Sequence, residues 1–254
     1  MNYHKHLFMN IDELGTRYPD YSPTYEFSGE LIDQMHRKLA RCRLVDGTLI
    51  QLKNRPWFGR IIQGWLRRAD ALKLYELAYF AEGDILELGS YHGLSSTILC
   101  EASRRSPCRK QIVSIDLDPD CVERTRHNLA RRGLEKGITC CCDDAVAAVQ
   151  RFAEQGRKFA FVFIDHAHSY GPVHGVCKNL RSIVSDSGFC LFHDFNDERN
   201  SLEGDQLYAV YQAVLEGLSP SEFEFCGIYG CTGLFQARAS GESRIPVTQW
   251  SKAG

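Results

Sequence analysis

The sequence predicts an α/β fold with a doubly wound, mainly parallel sheet of seven strands and an antiparallel strand at its C-terminal end. The first observation is that short apolar runs alternate with amphipathic segments of helical spacing from about residue 60 onward. That alternation is typical of a parallel sheet covered by helices. The second is that the last two strand-like runs, in "EFEFCGIYGCTGLFQAR", are joined by a short stretch containing Gly230 and Gly233. Such a pair predicts a β-hairpin.

The elements follow one another in a regular order. A helix with leucines at helical spacing lies in "GWLRRADALKLYELAYF" and is predicted to end before Gly83. The five apolar runs after it are predicted to be strands: 85–88, 112–115, 138–141, 159–164 and 189–192. Helices are predicted between and after them: 94–102, 119–132, 145–152, 173–184 and 206–218. The two runs of the hairpin complete the seven strands.

Composition narrows the class of protein and its surroundings. A chain of 254 residues with 44% hydrophobic and 24% charged residues fits one globular domain. The net charge of −2 gives no basic surface, so no nucleic-acid partner is expected. No signal-peptide pattern opens the chain and no apolar run reaches the roughly 18 residues of a membrane span, so we expect a cytoplasmic protein with no membrane contact. Eleven cysteines without zinc-type CxxC pairs predict reduced thiols.

Three segments are predicted along the chain. Residues 1–60 are interpreted as a helical extension, because "ELIDQMHRKLARCRLV" places Leu31, Met35 and Leu39 on one face. The extension either covers one side of the core or serves as a lid or dimer arm, so a homodimer is one expected state. Residues 61–238 are predicted to form the main domain, and residues 239–254 a polar tail.

The loop after the first main strand is the first candidate site. In "DILELGSYHGLSSTILC" a buried strand breaks at two glycines and continues as a helix, which places a helix N-terminus beside the carboxyl ends of the strands. The motif is E-x-G-x-x-x-G, formed by Glu87, Gly89 and Gly93. A dinucleotide-binding motif would require glycines where Tyr91 and Leu94 stand. The loop also has no lysine for a phosphate, so a Walker A loop is excluded.

Carboxylates follow four of the predicted strands. They are Glu87, Asp116, Asp143 and Asp165. These groups would repel an anionic cofactor but would hold one with a positive sulfonium and ammonium, a ribose diol and an adenine amine. S-adenosylmethionine carries all of those groups, and it is the cofactor we expect.

Five blocks of sequence carry a family resemblance. The blocks "GWLRRADALKLYELA", "ILELGSYHGLSST", "IVSIDLDPD", "FIDHAHSYGPV" and "LFHDF" span about residues 60–238. In this order and spacing the chain resembles class I S-adenosylmethionine-dependent methyltransferases of the group related to macrocin and catechol O-methyltransferases. The resemblance implies their Rossmann-like fold and methylation of a hydroxyl on a small acceptor such as a sugar, phenol or other natural product. Metal-independent N-methylation and non-catalytic cofactor binding remain the alternatives.

The resemblance also implies roles for particular cofactor-binding residues. Gly89 and Gly93 would frame the loop over the methionine and ribose, and Asp116 would accept both ribose hydroxyls. Asp143 would face the adenine amine, while Asp144 would cap the next helix. The implied cofactor-binding set is Glu87, Gly89, Ser90, Tyr91, Gly93, Asp116, Leu117, Asp143 and Asp165.

The segments "DHAHSY" and "HDFND" are predicted to carry the chemistry. In the catechol-type relatives two aspartates at these places bind magnesium, and Asp165 and Asp194 match them. His168 occupies the place of the relatives' lysine base, and imidazole, with an ordinary pKa of about 6.5, can accept a proton near neutrality. The predicted catalytic residues are thus His168, His193 and Asp165.

The metal prediction includes one departure from the family. Phe195 stands where the relatives have an asparagine ligand, so His193 or Asn196 is the candidate third ligand beside Asp165 and Asp194. Magnesium or manganese is the expected ion, and metal-free catalysis by histidine remains open.

Overall fold

A seven-stranded sheet organises the chain in the computed structural model, which describes residues 43–45, 49–51, 62, 64–106, 108–201 and 207–239. In chain order the elements are β1 (Arg43–Val45), β2 (Leu49–Gln51), α1 (Arg68–Phe80), β3 (Ile85–Leu88), α2 (Leu94–Arg105), β4 (Ile112–Asp116), α3 (Pro119–Ala130), β5 (Ile138–Cys142), α4 (Ala145–Glu154), β6 (Phe159–Ile164), α5 (Tyr170–Ile183), β7 (Val184–Phe192), a 3-10 helix (Glu198–Ser201), α6 (Val210–Gly217), β8 (Phe223–Tyr229) and β9 (Thr232–Ala237).

The strand order is β5-β4-β3-β6-β7-β9-β8. β3 pairs in parallel with β4 on one side and with β6 on the other. The strands from β3 to β5 therefore extend toward one edge of the sheet, and the strands from β6 onward extend toward the other edge. β9 pairs antiparallel with both β7 and β8. The predicted fold is therefore confirmed. A reversal of this kind leaves a crevice at the carboxyl ends of the central strands.

The sheet is buried on both faces, which explains its continuous apolar runs. Ile85 of β3 packs into a core with α1, α2 and α3, whereas its neighbour Leu86 packs into a second core with α4, α5 and α6. Successive side chains of a strand point to opposite faces, so one short run supplies both cores. This packing fixes the strand ends that carry the polar residues.

The predicted element bounds differ from the structure mainly at helix ends and at β7. The strand predicted at 189–192 begins earlier, at Val184, directly after α5. The helix predicted at 206–218 is α6, which starts at Val210. At β7 the added residues 185–188 are polar residues or glycine, where an apolar pattern gives no boundary, and helix ends are the least certain part of any such prediction.

One prediction for the N-terminal extension is wrong. Residues 43–45, assigned to an amphipathic helix, form β1, which pairs antiparallel with β2. The sequence between them contains Asp46-Gly47, a dipeptide that favours hairpins, and that local signal outweighs the helical period at the end of the segment. Leu31, Met35 and Leu39 lie outside the described residues, so the division into 1–60, 61–238 and 239–254 stays a prediction. Among the described helices, none is long and apolar enough to cross a bilayer.

Candidate active site

A cavity of about 580 Å³ opens at the carboxyl ends of β3, β4, β6 and β7. It lies at the crevice that the strand order creates. Most of the predicted site residues line it: Gly89, Ser90, Tyr91, Asp116, Leu117, Asp143, Asp165, His168, His193 and Asp194. Glu87, Gly93 and Asn196, which were also predicted, are not part of this lining.

The loop between β3 and α2 depends on two glycines in left-handed conformations. Gly89 has φ +94° and Gly93 has φ +84°. A side chain at residue 89 would overlap the backbone carbonyl of Asp165, which follows the neighbouring strand β6. Only glycine accepts both that approach and that φ without strain. The loop can therefore lie tightly across the end of the sheet, with its backbone next to the cavity.

Asp116 at the end of β4 holds this loop in place. Its Oδ2 accepts hydrogen bonds from the backbone N–H groups of Ser90 at 2.9 Å and Tyr91 at 2.8 Å. Its Oδ1 accepts the N–H of Asp118 at 3.0 Å. A carboxylate has about four acceptor sites, so capacity remains for a ligand hydroxyl. The same side chain thus organises the loop and faces the cavity.

Glu87 lies beneath the loop rather than in the cavity. Its side chain is fully buried, and its Oε2 accepts hydrogen bonds from the hydroxyls of Ser96 at 2.6 Å and Ser114 at 2.5 Å. Burial raises the pKa of this carboxyl to about 7, although the serine hydroxyls act in the opposite direction. Glu87 links β3 to α2 and β4 through these hydrogen bonds. Any effect of Glu87 on a bound ligand is therefore indirect and acts through the position of the loop.

One end of the cavity is lined by an exposed leucine and by an aspartate. Leu117 is 71% exposed and lines the cavity. Asp143 lies opposite on the β5 side, where its carboxylate pairs with Arg151 and accepts the N–H of Asp144. Asp144 in turn accepts the N–H of Ala147 at 2.9 Å and caps α4, which confirms its predicted role as the cap.

The other side of the cavity brings together the residues that follow β6 and β7. His168 Nε2 lies 3.1 Å from Asp194 Oδ2, with its ring stacked on Tyr208 at a centroid distance of 4.9 Å. The His168 side chain is 47% exposed, whereas that of Asp194 is 8% exposed. An accessible imidazole is thus held by a buried carboxylate, an arrangement suited to proton transfer.

His193 is buried between two carboxylates. Its Nδ1 lies 3.2 Å from Asp165 Oδ1 and 3.2 Å from Asp194 Oδ2. Burial by itself lowers the pKa of this imidazole, but the charges of Asp165 and its neighbours outweigh burial and raise the pKa well above its ordinary value. For Asp194, burial raises the pKa, and the hydrogen bonds from His168 and His193 prevail and lower it. The protonated imidazole therefore compensates the carboxylates.

Among the described residues, two separate groups of side chains have ligand atoms close enough for a metal ion. The ligand atoms of Asp165, His168 and Asp194 lie within 4.8 Å of one another. Asn196 does not join them, because its amide donates to the carbonyl of Gly230 at 3.0 Å and the residue is buried against the hairpin. The second group consists of Asp70, His193 and Cys231.

Sequence reasoning missed several residues that surround His193, His168 and Asp194. Asp70 comes from the first turn of α1, Cys231 from the turn between β8 and β9, and Arg199 and Tyr208 from the segment after β7. The guanidinium of Arg199 lies over the Tyr208 ring at 4.0 Å. Asp70 could be recognised as a helix-capping acid, but nothing in the sequence connects it with Cys231, 161 positions away.

Comparison with protein families gives one match. Residues 86–195 match a family described as a methyltransferase domain. No curated protein matches the sequence. The match spans β3 to the segment after β7, which includes the glycine loop and both histidine-containing strand ends.

Solved structures share the fold at low sequence identity. The O-methyltransferase TomG from Streptomyces achromogenes, involved in tomaymycin synthesis and solved with SAM, is 17% identical with a TM-score of 0.57, covering 91% of this chain and all of that one. An O-methyltransferase from Bacillus cereus in complex with SAH is 13% identical with a TM-score of 0.54, covering 91% and 100%. Cofactor-bound Rv0187 from MTB is 14% identical with a TM-score of 0.55, covering 91% and 99%. These likenesses establish the fold.

Proposed function

We propose that this protein transfers a methyl group from S-adenosylmethionine to a hydroxyl oxygen of a small molecule, as a methyltransferase of class I. Residues 86–195 match a methyltransferase-domain family, which supports the proposal. The observation that carries the proposal is the pairing, in one cavity, of the Gly89 loop with the His168–Asp194 pair on the opposite side. Two structures of the same fold are described as O-methyltransferases and were solved with SAM or SAH, which supports the proposal.

The proposed cofactor position follows from the donors and acceptors around the loop. Asp116 would accept the ribose hydroxyls, Asp143 the adenine amine, and Leu117 would pack against the adenine ring. The methionine end would then lie over Gly89, close to the carboxylate of Asp165, whose negative charge favours the sulfonium and ammonium groups. This orientation directs the methyl group toward His168.

Methyl transfer is an in-line displacement that needs an aligned and deprotonated oxygen. We assign the base to His168. Its Nε2–H can donate to Asp194, and Nδ1 can then take the proton from the hydroxyl group of the methyl acceptor. The buried carboxylate of Asp194 stabilises the imidazolium that forms. His193, the other predicted base, is favoured in its protonated form, which has no lone pair for this task. We therefore propose that His193 positions Asp165 and Asp194.

The carboxylates of Asp165 and Asp194 also fit a divalent ion, magnesium or manganese. Their ligand atoms stand close enough for a shared cation, and such ions keep several water ligands, so two carboxylates suffice. A bound ion would lower the pKa of the acceptor hydroxyl. His168 then keeps its role as base. Without an ion, the same two acids still orient His168 and His193.

The acceptor is proposed to be a small hydroxylated compound with a planar or ring-shaped part. Trp65 is 64% exposed and lines the cavity, so its ring can cover such a molecule. Tyr170, an aromatic residue on α5, bonds instead to Glu216 through its hydroxyl at 2.6 Å and is absent from the lining. The cavity thus offers the ring of Trp65, in addition to that of Tyr91, as an aromatic surface for the acceptor.

Isothermal titration tests the proposal. Chelator-treated protein is titrated with S-adenosylhomocysteine, then with magnesium or manganese together with a panel of vicinal hydroxyl compounds. We expect micromolar binding of the cofactor product and a diol that binds only with metal. An Asp194→Asn variant should bind the cofactor product normally but lose the metal-dependent diol. If the cofactor product does not bind the wild-type protein, the proposal is wrong.

A further inference from the structure

A second polar cluster lies behind the cavity, formed by Asp70, His193 and Cys231. All three residues are buried, at 0%, 5% and 3% exposure. They come from the first turn of α1, from the residue after β7 and from the turn between β8 and β9. The methyl-transfer chemistry proposed above uses neither Asp70 nor Cys231. A buried thiol, imidazole and carboxylate in contact therefore need a separate explanation.

The three ligand atoms stand at distances suited to one metal ion. Cys231 Sγ lies 3.3 Å from His193 Nε2 and 3.2 Å from Asp70 Oδ2, and the latter two atoms are 3.8 Å apart. Metal bonds of about 2.3 Å to sulfur and about 2.0 Å to nitrogen and oxygen give edges of about 3.3–3.6 Å in a tetrahedron. The two observed edges to sulfur lie within about 0.3 Å of these values, and the Nε2–Oδ2 edge is about 0.5 Å longer.

His193 is oriented as a metal ligand usually is. Its Nδ1 lies 3.2 Å from a carboxylate oxygen of Asp165 and 3.2 Å from one of Asp194, while its Nε2 faces Cys231 Sγ at 3.3 Å. A carboxylate behind a ligating histidine fixes the tautomer and strengthens the nitrogen as a donor. Here two carboxylates lie on the Nδ1 side of the ring.

Asp70 faces His193, whose Nε2 lies 3.8 Å from its Oδ2, as a charged partner. Its oxygens accept the N–H groups of Arg67 at 2.6 Å and Cys231 at 2.8 Å, and within the described part of the chain no lysine or arginine forms an ion pair with it. A fully buried carboxylate is costly unless a cation compensates it. Gly230, at φ +64°, permits this arrangement, because a side chain there would overlap the Asp70 carboxylate.

We propose that Asp70, His193 and Cys231 bind a borderline-soft divalent ion of the zinc class, with the fourth coordination position facing the cavity. Binding would displace the thiol proton of Cys231 and any proton on His193 Nε2 to solvent, giving a thiolate, a neutral imidazole and a carboxylate. A thiolate with an imidazole selects zinc or cobalt over magnesium. Cys231 and His193 line the cavity, which supplies the entry path.

The site would tie α1 to the β8–β9 turn and to the end of β7. Three protein ligands with one open position are typical of zinc sites that bind water or a substrate oxygen. This inference goes beyond the proposed methyl transfer, since it concerns a different ion and two residues outside that chemistry.

Cobalt titration of the full, chelator-treated chain tests the site. We expect one equivalent of Co²⁺ to produce a thiolate-to-cobalt charge-transfer band in the near ultraviolet, and Zn²⁺, but not Mg²⁺, to abolish it. Cys231→Ser should remove the band, and Asp70→Asn should weaken cobalt binding more than tenfold. The matched control Cys226→Ser, a buried thiol of the same hairpin, and His168→Ala should both retain the band.

X-ray absorption on the zinc-loaded wild-type protein gives a test that does not depend on folded variants. One sulfur at about 2.3 Å with nitrogen or oxygen at about 2.0 Å is the expected first shell. An all-nitrogen-and-oxygen shell, absence of the cobalt band, or a band that persists in Cys231→Ser would overturn the site. S-adenosylhomocysteine binding is measured separately, so failure of either proposal is recognised by itself.

Discussion

The two sides of the cavity are built differently. We call the side proposed to bind the cofactor the cofactor side, and the side proposed to hold the methyl acceptor the acceptor side. The cofactor side, defined by Gly89, Ser90, Asp116 and Asp143, relies on backbone groups and on hydrogen bonds between consecutive βα units, such as that from Ser90 N to Asp116, 26 positions apart. The acceptor side, defined by Asp165, His168, His193 and Asp194, relies on buried charges that compensate one another. It extends through His193 to Asp70 and Cys231.

This contrast indicates where each side is vulnerable. On the cofactor side, shape is decisive, because the loop must approach the end of β6 without a side chain at residue 89. On the acceptor side, protonation is decisive. Against the effect of burial, the charge of Asp165 raises the pKa of His193, and interactions with His168 and His193 lower the pKa of Asp194. Substitutions that add a side chain to the loop and substitutions that remove a charge should therefore have separable effects on stability and on activity.

The largest expected effect is on the shape of the cofactor loop. Gly89→Ala should destabilise the fold by roughly 3 kcal/mol, because the new methyl group meets the Asp165 carbonyl at a φ of +94°. Gly133→Ala is the matched control: its φ is +63° but nothing lies within 4 Å, so only about 1–2 kcal/mol of left-handed strain is expected. Urea unfolding measures both. Equal losses would mean that contact with Asp165 is unimportant.

The second effect concerns the buried carboxyl beneath the loop. The pKa of Glu87 is raised from 4.5 to about 7 in the folded protein, so the folded state binds more protons between these values and stability falls as pH rises through this window. Each pKa unit corresponds to about 1.4 kcal/mol. Glu87→Gln should remove this fall, since an amide does not ionise.

Unfolding free energies measured from pH 4.5 to 7 would show the difference for Glu87. The exposed Glu123 on α3 provides Glu123→Gln as a control of equal charge change. Parallel pH curves for the wild type and Glu87→Gln would contradict the prediction.

The third effect tests the acceptor side. His168→Ala should reduce turnover by ~10² or more, the usual contribution of a general base, while cofactor affinity changes only a few-fold. His174→Ala, which removes a ring stacked on Tyr170 outside the cavity, should keep turnover. Single-turnover methylation with saturating cofactor makes the comparison, and near wild-type turnover in His168→Ala would end the assignment.

The smallest expected effect is on cofactor affinity. Asp116→Ala should weaken S-adenosylhomocysteine binding more than tenfold, because two ribose hydroxyls lose an acceptor and the N–H groups of Ser90 and Tyr91 lose their anchor. Asp120→Ala, on the exposed first turn of α3, is the control. Calorimetry that gives the same affinity for wild type and Asp116→Ala would remove Asp116 from the cofactor site.

The sequence by itself determined the sheet and the position of the glycine loop after β3. Alternating apolar runs located all seven strands, and the E-x-G-x-x-x-G spacing located the loop, because both depend on contacts between residues close in the chain or in adjacent units. The same reasoning identified Asp144 as a cap and the acids at the strand ends. It failed at residues 43–45, where a hairpin replaced the predicted helix.

Only the tertiary structure decided how the acceptor side is assembled. The sequence named His168, His193, Asp165 and Asp194, but not that His193 is enclosed by acids or that Asn196 turns to the hairpin. The pairing of Asp70 with Cys231 joins residues 161 positions apart. Such contacts follow from how α1 and the β8–β9 turn pack on the sheet, and no local pattern of apolar or polar residues encodes that packing.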